Sequence, residues 1–411
     1  MSEDRLIQFF IQLAFMLMAA VLCGAAARRL GQPAVLGEII GGILIGPSVL
    51  GRMAPGLHYQ LFESGEQCHL MMHAVLNLGM LYFLFIAGME IDFATVRRNA
   101  GSSLTISLLG IAVPFALGAL SVLLLPGVWM APTPETGLFA VFVGAAMSIS
   151  SLPVIIRILM DLGLTHTREG QITISSAVMN DLAGWMLFVY VLGTLNSSDA
   201  VNPISSLLRV LAFSAAVLAA GALLRRFFAW LARKAGDGAG NLLSVISILI
   251  LAAAALASKC GVHPIFGAFL IGASLGPVLR HNQCVETVIT HFALSFFAPL
   301  YFVSVGMKLD FSRSFDPRLV LLVMAVSFAG KLLGAGGGAL LSGMKPKPSA
   351  LVAFGLNARG AMEIVLAEVA LSAGIIDERI FLALVVMAIL TTLVSAPAIR
   401  RFAGSHGGGT A

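Results

Sequence analysis

The stretch GAAMSISSLPVIIRILMDLG, residues 144–163, is apolar enough to lie in a bilayer yet carries three serines and a proline at its centre. Pro153 has no backbone N–H and disfavours a helical residue before it, so the run predicts a helix broken near mid-membrane, around Ser148, Ser150 and Ser151. Broken backbone at that depth survives only where it is buried in protein or lines an aqueous cavity. A second run, AFGLNARGAMEIVLAEVAL (353–371), places Gly355 and Gly360 around Asn357 and Arg359, again in mid-span. The two stretches lie seven spans apart on the helix count given below. An odd separation makes the two helices run in opposite directions. That is the arrangement of an inverted repeat whose crossed, discontinuous helices frame a site at the membrane midplane.

Composition names the solvent. Of 411 residues, 58% are hydrophobic and 11% charged, with a mean hydropathy of +0.96, far from the quarter-charged make-up of soluble domains. The chain is therefore expected to be an all-α polytopic membrane protein with no substantial soluble domain. Apolar stretches of spanning length fall near 5–28, 33–50, 70–90, 102–125, 136–160, 170–195, 204–231, 240–258, 263–279, 286–307, 318–342, 349–372 and 379–402, about thirteen helices. The first lacks the ordered features of a cleaved leader and is long enough to span, so it reads as a retained helix. An odd number of spans puts the termini on opposite sides. One set of loops carries fourteen Lys and Arg and the other seven, which places the N-terminus outside and the C-terminus in the cytoplasm. The net charge of +5 is small and sits at span ends, so it speaks of topology and not of a nucleic-acid partner. Cys23, Cys68, Cys260 and Cys284 show neither CxxC spacing nor a His cluster that would hold a metal cofactor.

The polar residues inside spans carry the chemistry. Asp181, in AVMNDLAGW (177–185), is about ten residues into its span and hence roughly 15 Å deep. A lone carboxylate at that depth is costly and is functional by default, with a neutral, hydrogen-bonded packing carboxyl as the lesser alternative. Asn180 could offer its carbonyl oxygen to a cation or simply bond a neighbouring helix. Ser148, Ser150 and Ser151 could supply the hard oxygens that alkali cations prefer, or serve close packing. Lys331 lies too deep to snorkel and is expected to meet a helix dipole or a carboxylate, as a titrating group or as a structural counter-charge. Arg359 and Glu363, four apart on one helix face, predict a local ion pair that is more scaffold than transport site. Glu38 and Arg157 could each snorkel, pair or line a funnel, and Glu368, near a span end, could be interfacial. An aspartyl protease reading fails, because that chemistry needs two carboxylates at one site and no second aspartate lies deep in a span. No enzyme is expected.

SISSLPVIIRILMDLGL followed by SSAVMNDLAGWML resembles the second branch of the monovalent cation/proton antiporters, which includes plant cation/proton exchangers, bacterial sodium/proton exchangers and the membrane domains of potassium efflux systems. LGEIIGGILIGPSVLG, LYFLFIAGMEID, GVHPIFGAFLIG, PLYFVSVGMKLD and GLNARGAMEIVLAEVAL resemble family segments in family order. The resemblance implies an inverted-repeat fold of thirteen helices with two crossed discontinuous ones. Residues 1–402 would form one transport domain, with core helices about 102–195 and 318–402 and a dimerising scaffold from the rest. It implies that Asp181 carries the cation and the proton, that Ser148 to Ser151 lie at the cation site, and that Lys331 is the core lysine. A homodimer in a bacterial plasma membrane is implied, with Na+, Li+ or K+ and H+ as cargo and no other cofactor. Electrogenic relatives hold two acidic residues where this chain has Asn180 and Asp181, which implies one cation per proton and no net charge moved. Residues 403–411 are read as a short Gly-rich cytoplasmic tail, without a fused regulatory domain. A cation-binding channel-like or sensory subunit is the alternative reading.

Overall fold

A computed structural model describes residues 3–30, 32–62, 66–90, 100–130, 136–165, 167–195, 203–235, 239–279 and 283–403. The helices, in order, are α1 (Glu3–Arg29), α2 (Ala34–Ile45), α3 (Leu50–Met53), α4 (Pro55–Phe62), α5 (Glu66–Met89), α6 (Ala100–Leu124), α7 (Pro126–Trp129), α8 (Thr136–Ser148), α9 (Leu152–Asp161) and α10 (Arg168–Leu195). Then follow α11 (Pro203–Ala235), α12 (Ala239–Lys259), α13 (Pro264–Leu279), α14 (Gln283–Phe292), α15 (Ala298–Met307), α16 (Pro317–Lys331), α17 (Gly337–Leu341), α18 (Pro346–Leu356), α19 (Ala361–Ser372) and α20 (Glu378–Phe402). Single wider π-helical turns, Ala293–Phe297 and Leu332–Gly336, join α14 to α15 and α16 to α17. Among the described residues there is no strand, and nine helical stretches are long and apolar enough to cross a bilayer, counting 34–53, 286–307 and 317–341 as joined runs. Leu22, Leu108, Leu124, Ile248 and Leu321 are exposed. Such side chains would drive aggregation in water and are solvated by lipid.

One span ends earlier than expected, and two are interrupted where the sequence predicts. The second span ends at Ile45 rather than near residue 50: Gly46 is extended and Pro47 follows it, so only the short turn α3 resumes. The fifth span breaks between Ser148 and Leu152, at the expected serines and just ahead of its proline. Pro153 sits in the first turn of α9, where a missing N–H costs nothing. The twelfth span is interrupted between Leu356 and Ala361.

The chain divides into two compact units. The first comprises residues 1–92 and 192–309. There α5 and α13 touch backbone to backbone: a methyl group on Gly88 would collide with the Phe269 carbonyl, and one on Gly272 with that of Phe85. Small residues permit this approach, which dispersion rewards where no hydrophobic effect acts between helices. Met16, Ala20, Ile45, Phe62, Leu300 and Val303 form an apolar cluster of this unit.

The second unit comprises residues 93–191 and 310–411 and contains both interrupted helices. Its helices are capped where they start outside the apolar spans. Asp316 accepts from Arg318 N at 2.9 Å and Leu319 N at 3.2 Å, and Asp377 accepts from Ile380 N at 2.8 Å. Arg379 ties the two caps, lying 3.1 Å from Asp316 Oδ2 and 3.8 Å from Asp377 Oδ2, and it donates to Trp129 O at 2.6 Å.

Candidate functional site

The site starts with an unfinished helix. α8 stops at Ser148, and Ser151 is extended, with φ −107° and ψ 101°. The last carbonyls of α8 thus lose the N–H donors that a continuing helix would provide. Cationic side chains take their place. Arg359 donates to Ala146 O at 2.7 Å and to Met147 O at 2.6 Å, and the Lys331 ammonium donates to Ser148 O. Two positive charges therefore meet the negative end of the α8 dipole.

Lys331 is placed by a second gap in the backbone. Pro114 lies inside α6 and has no N–H, so Gly110 O, four residues earlier, lacks its helical donor. Lys331 Nζ fills that gap at 3.0 Å. Its third partner is Asn180. An ammonium only donates, so the Asn180 amide turns its oxygen to Lys331 at 3.2 Å and its nitrogen to Ser107 Oγ at 2.7 Å. The three donors of a fully buried lysine are thereby matched by three neutral acceptors. Of the two partners expected from the sequence, the helix end is the one it bonds.

The second interruption meets the first. Ser150 Oγ donates to Leu356 O at 2.7 Å and Ser151 N to Ala358 O at 3.0 Å. Arg359, fully buried, pairs with Glu363 at 2.8 Å, and Thr392 donates to Arg359 O. Glu363 stands in the first turn of α19, where a helix N-terminus favours negative charge. The Arg359–Glu363 pair expected from the spacing is present, and its arginine also caps α8.

Asp181 and Asn180 are both buried, at 3% and 0% exposure. Asp181 shares a face of α10 with Gly184, three residues on. A methyl group on Gly184 would collide with the side chain of Ile149, so this face lies directly on the α8–α9 interruption. Within the unit, Lys331 links Asn180 to Ser148, and the charges of Arg359, Asp181 and Glu363 all act on Lys331. With both carboxylates ionised the four charges cancel. A proton or a monovalent cation on Asp181 leaves the same net charge of +1.

The five residues expected at the cation site are all buried, and two of their hydroxyls donate to backbone carbonyls. Ser148 Oγ donates to Gly144 O at 2.8 Å and Ile111 O at 3.1 Å, and Ser150 Oγ is engaged with Leu356 O. Arg157 is exposed, Glu38 is buried in the first unit, and Glu368 is 9% exposed. Among the described residues no group of three or more His, Cys, Asp or Glu side chains could hold a metal ion. Sequence reasoning missed Ser107, the Gly110 carbonyl and Thr392. Pro114, in the middle of the fourth span, was the signal that a carbonyl there would be free.

The family described as "Sodium/hydrogen exchanger, transmembrane" matches residues 17–403. The chain belongs to that family. It is 30% identical over 394 residues to the Na(+)/H(+)-K(+) antiporter GerN of Bacillus cereus, covering 96% of each protein. It is 29% identical over 406 residues to the Na(+)/H(+) antiporter NhaS4 of Synechocystis, covering 97% of this chain and 98% of that one. It is 30% identical over 407 residues to Cation/H(+) antiporter 18 of Arabidopsis thaliana, with 96% of this chain against 50% of the relative. The chain thus spans about half the length of the plant exchangers it matches. Among solved structures, the sodium proton antiporter MjNhaP1 from Methanocaldococcus jannaschii at pH 8 has the same fold. The TM-score is 0.70 at 17% identity, over 97% of this chain and 98% of that one. Membership of this transmembrane family accounts for the apolar composition.

Proposed function

We propose that the chain is a secondary active antiporter that exchanges a monovalent alkali cation for a proton at Asp181, by alternating access and without net charge movement. The observation that carries this reading is a buried carboxylate beside an interrupted helix whose free carbonyls are already taken by Arg359 and Lys331. With those carbonyls capped, Asp181 is the carboxylate at which a cation binds. A proton and a cation each remove the same charge, so they compete, and competition at one site couples the two flows. Loaded with either cargo, the cluster carries the same charge, which supports electroneutral exchange.

The same reading makes the chain a homodimer in a plasma membrane. Residues 93–191 and 310–411 are its transporting unit, and the remaining residues its scaffold. Relatives named for Na+ and for K+ support a monovalent alkali cation as cargo.

The test is exchange in proteoliposomes carrying an internal pH dye, with an imposed proton gradient and added Na+, Li+ or K+ salts. Cation-dependent collapse of the gradient, unaffected by membrane potential and absent in Asp181→Asn, is the expected result. Undiminished exchange in the variant would remove Asp181 from the mechanism.

A further inference from the structure

Most polar side chains where the two interrupted helices meet are hydrogen-bonded within the protein. The Ser148 and Ser150 hydroxyls donate to backbone carbonyls, and the Asn180 amide is held between Lys331 and Ser107. Two side chains stand apart. Asn357 is fully buried, and neither its Oδ1 nor its Nδ2 makes a hydrogen bond; Ser151 Oγ, also fully buried, makes none either. A buried amide with neither end satisfied is costly in a folded protein, and where it persists a missing partner is the first explanation to test.

Their positions suggest what the partner is. Asn357 is flanked by Leu356 and Ala358, whose carbonyls accept from Ser150 and Ser151, so its backbone lies against the first interruption. A methyl group on Gly360 would stand 3.2 Å from Ser151 Oγ, which places that hydroxyl over the second interruption. One uncommitted oxygen thus comes from each broken helix, in the unit that also buries Asp181.

We infer that Asn357 is a ligand for the transported alkali cation, supplied by the second broken helix. Together with Ser151 Oγ it provides the neutral oxygens that complete a shell around the ion held by Asp181. The inference rests on the exchange reading and deepens it. An amide suits the task because it offers a hard oxygen without adding charge. Its Oδ1 meets the cation, and its Nδ2 donates to a carboxylate oxygen or to a water that enters with the ion. A proton on Asp181 needs no such shell. Asn357 therefore favours the cation over the proton, and because shell geometry depends on ionic size it also sets the preference among Na+, Li+ and K+.

The experiment compares wild type, Asn357→Ala and Ser151→Ala in two assays. The first is proteoliposome exchange, giving KM and kcat for each cation. The second is cation-dependent thermal stabilisation of the purified protein in detergent. Loss of one ligand should raise the cation KM about ten- to hundredfold, the range of a hydrogen bond to a charged group. The ratio of KM values among the three cations should shift several-fold, with kcat nearly unchanged. Asn357→Asp, which keeps the oxygen, should retain tight cation binding and move the pH profile. A merely structural asparagine would lower kcat and thermal stability while leaving the KM ratios unmoved, and that outcome overturns the inference. If Asn357→Ala does not fold, Asn357→Ser is read in the same two assays. Wild type that binds cations without exchanging them would defeat the exchange reading, and the binding assay would still decide Asn357. Wild type that binds none of the three would overturn both.

Discussion

Replacing Lys331 with Met should destabilise the protein through three orphaned acceptors, and Pro114 makes that claim open to measurement. The ammonium satisfies Gly110 O at 3.0 Å, Ser148 O, and Asn180 Oδ1 at 3.2 Å, all in a fully buried site. Each buried acceptor left unmade costs about 1–3 kcal/mol, and some of that is recovered by relaxation, so a loss of about 4 kcal/mol is expected. Gly110 O has no helical donor of its own, because Pro114 cannot provide one. Pro114→Ala would restore that N–H. In the Lys331→Met background it should therefore recover about 1–2 kcal/mol relative to its effect in wild type, where the new N–H competes with the lysine for one carbonyl. Pro114 also packs on Gly330, so the single Pro114 variant carries a packing cost that the double-mutant cycle cancels. Thermal unfolding of the detergent-solubilised protein reports both effects. An unchanged midpoint in Lys331→Met, with exchange lost, would refute the capping account and favour a lysine that titrates during transport. Equal effects of Pro114→Ala in both backgrounds would sever the proposed link through Gly110.

Further outcomes follow from the same contacts. Arg359→Met should cost about 3–5 kcal/mol by stranding Glu363 and two α8 carbonyls, whereas Arg359→Met with Glu363→Met should cost less than the sum of the single changes; strict additivity in thermal melts would contradict the pair. Burial alone would raise the Asp316 carboxyl, but hydrogen bonds from Leu319 N, Arg318 N and Arg379 outweigh it and hold the group below the ordinary carboxylate range. A depressed folded-state value contributes stability that is full above the unfolded value, 3.8, and is lost as pH falls through the folded one. Asp316→Ala should therefore lower the unfolding midpoint at neutral pH, with about 1 kcal/mol from the cap. The gap to wild type should narrow as the pH is taken below that range, and a gap that stays constant with pH would count against the assignment.

How much of this was legible in the sequence depends on whether a residue signals its own backbone. Pro153 and the glycines around Asn357 mark breaks directly, and the depth of Asp181 follows from counting residues along an apolar run. The Arg359–Glu363 pair follows from helical spacing. The sequence does not say that Arg359 also reaches α8, more than two hundred residues earlier, because that depends on how the interrupted helices meet. Lys331 was expected to find a dipole or a carboxylate, and the choice required knowing that Ser148 ends a helix. Gly110 carries no signal of its own; its free carbonyl is announced four residues later, by Pro114. The serines illustrate the reverse limit. Composition treats Ser148, Ser150 and Ser151 alike, yet the first two hydroxyls donate to backbone carbonyls and the third makes no hydrogen bond.

The central claim is that one carboxylate takes either a proton or a cation. Its most direct measurement is proton release when Na+, Li+ or K+ is added to purified protein in weakly buffered detergent solution. The account predicts release of up to one proton per chain, saturating with cation, larger at acidic pH and absent from Asp181→Asn. Saturable cation binding with no proton released, or the same release from the Asp181→Asn protein, would contradict it.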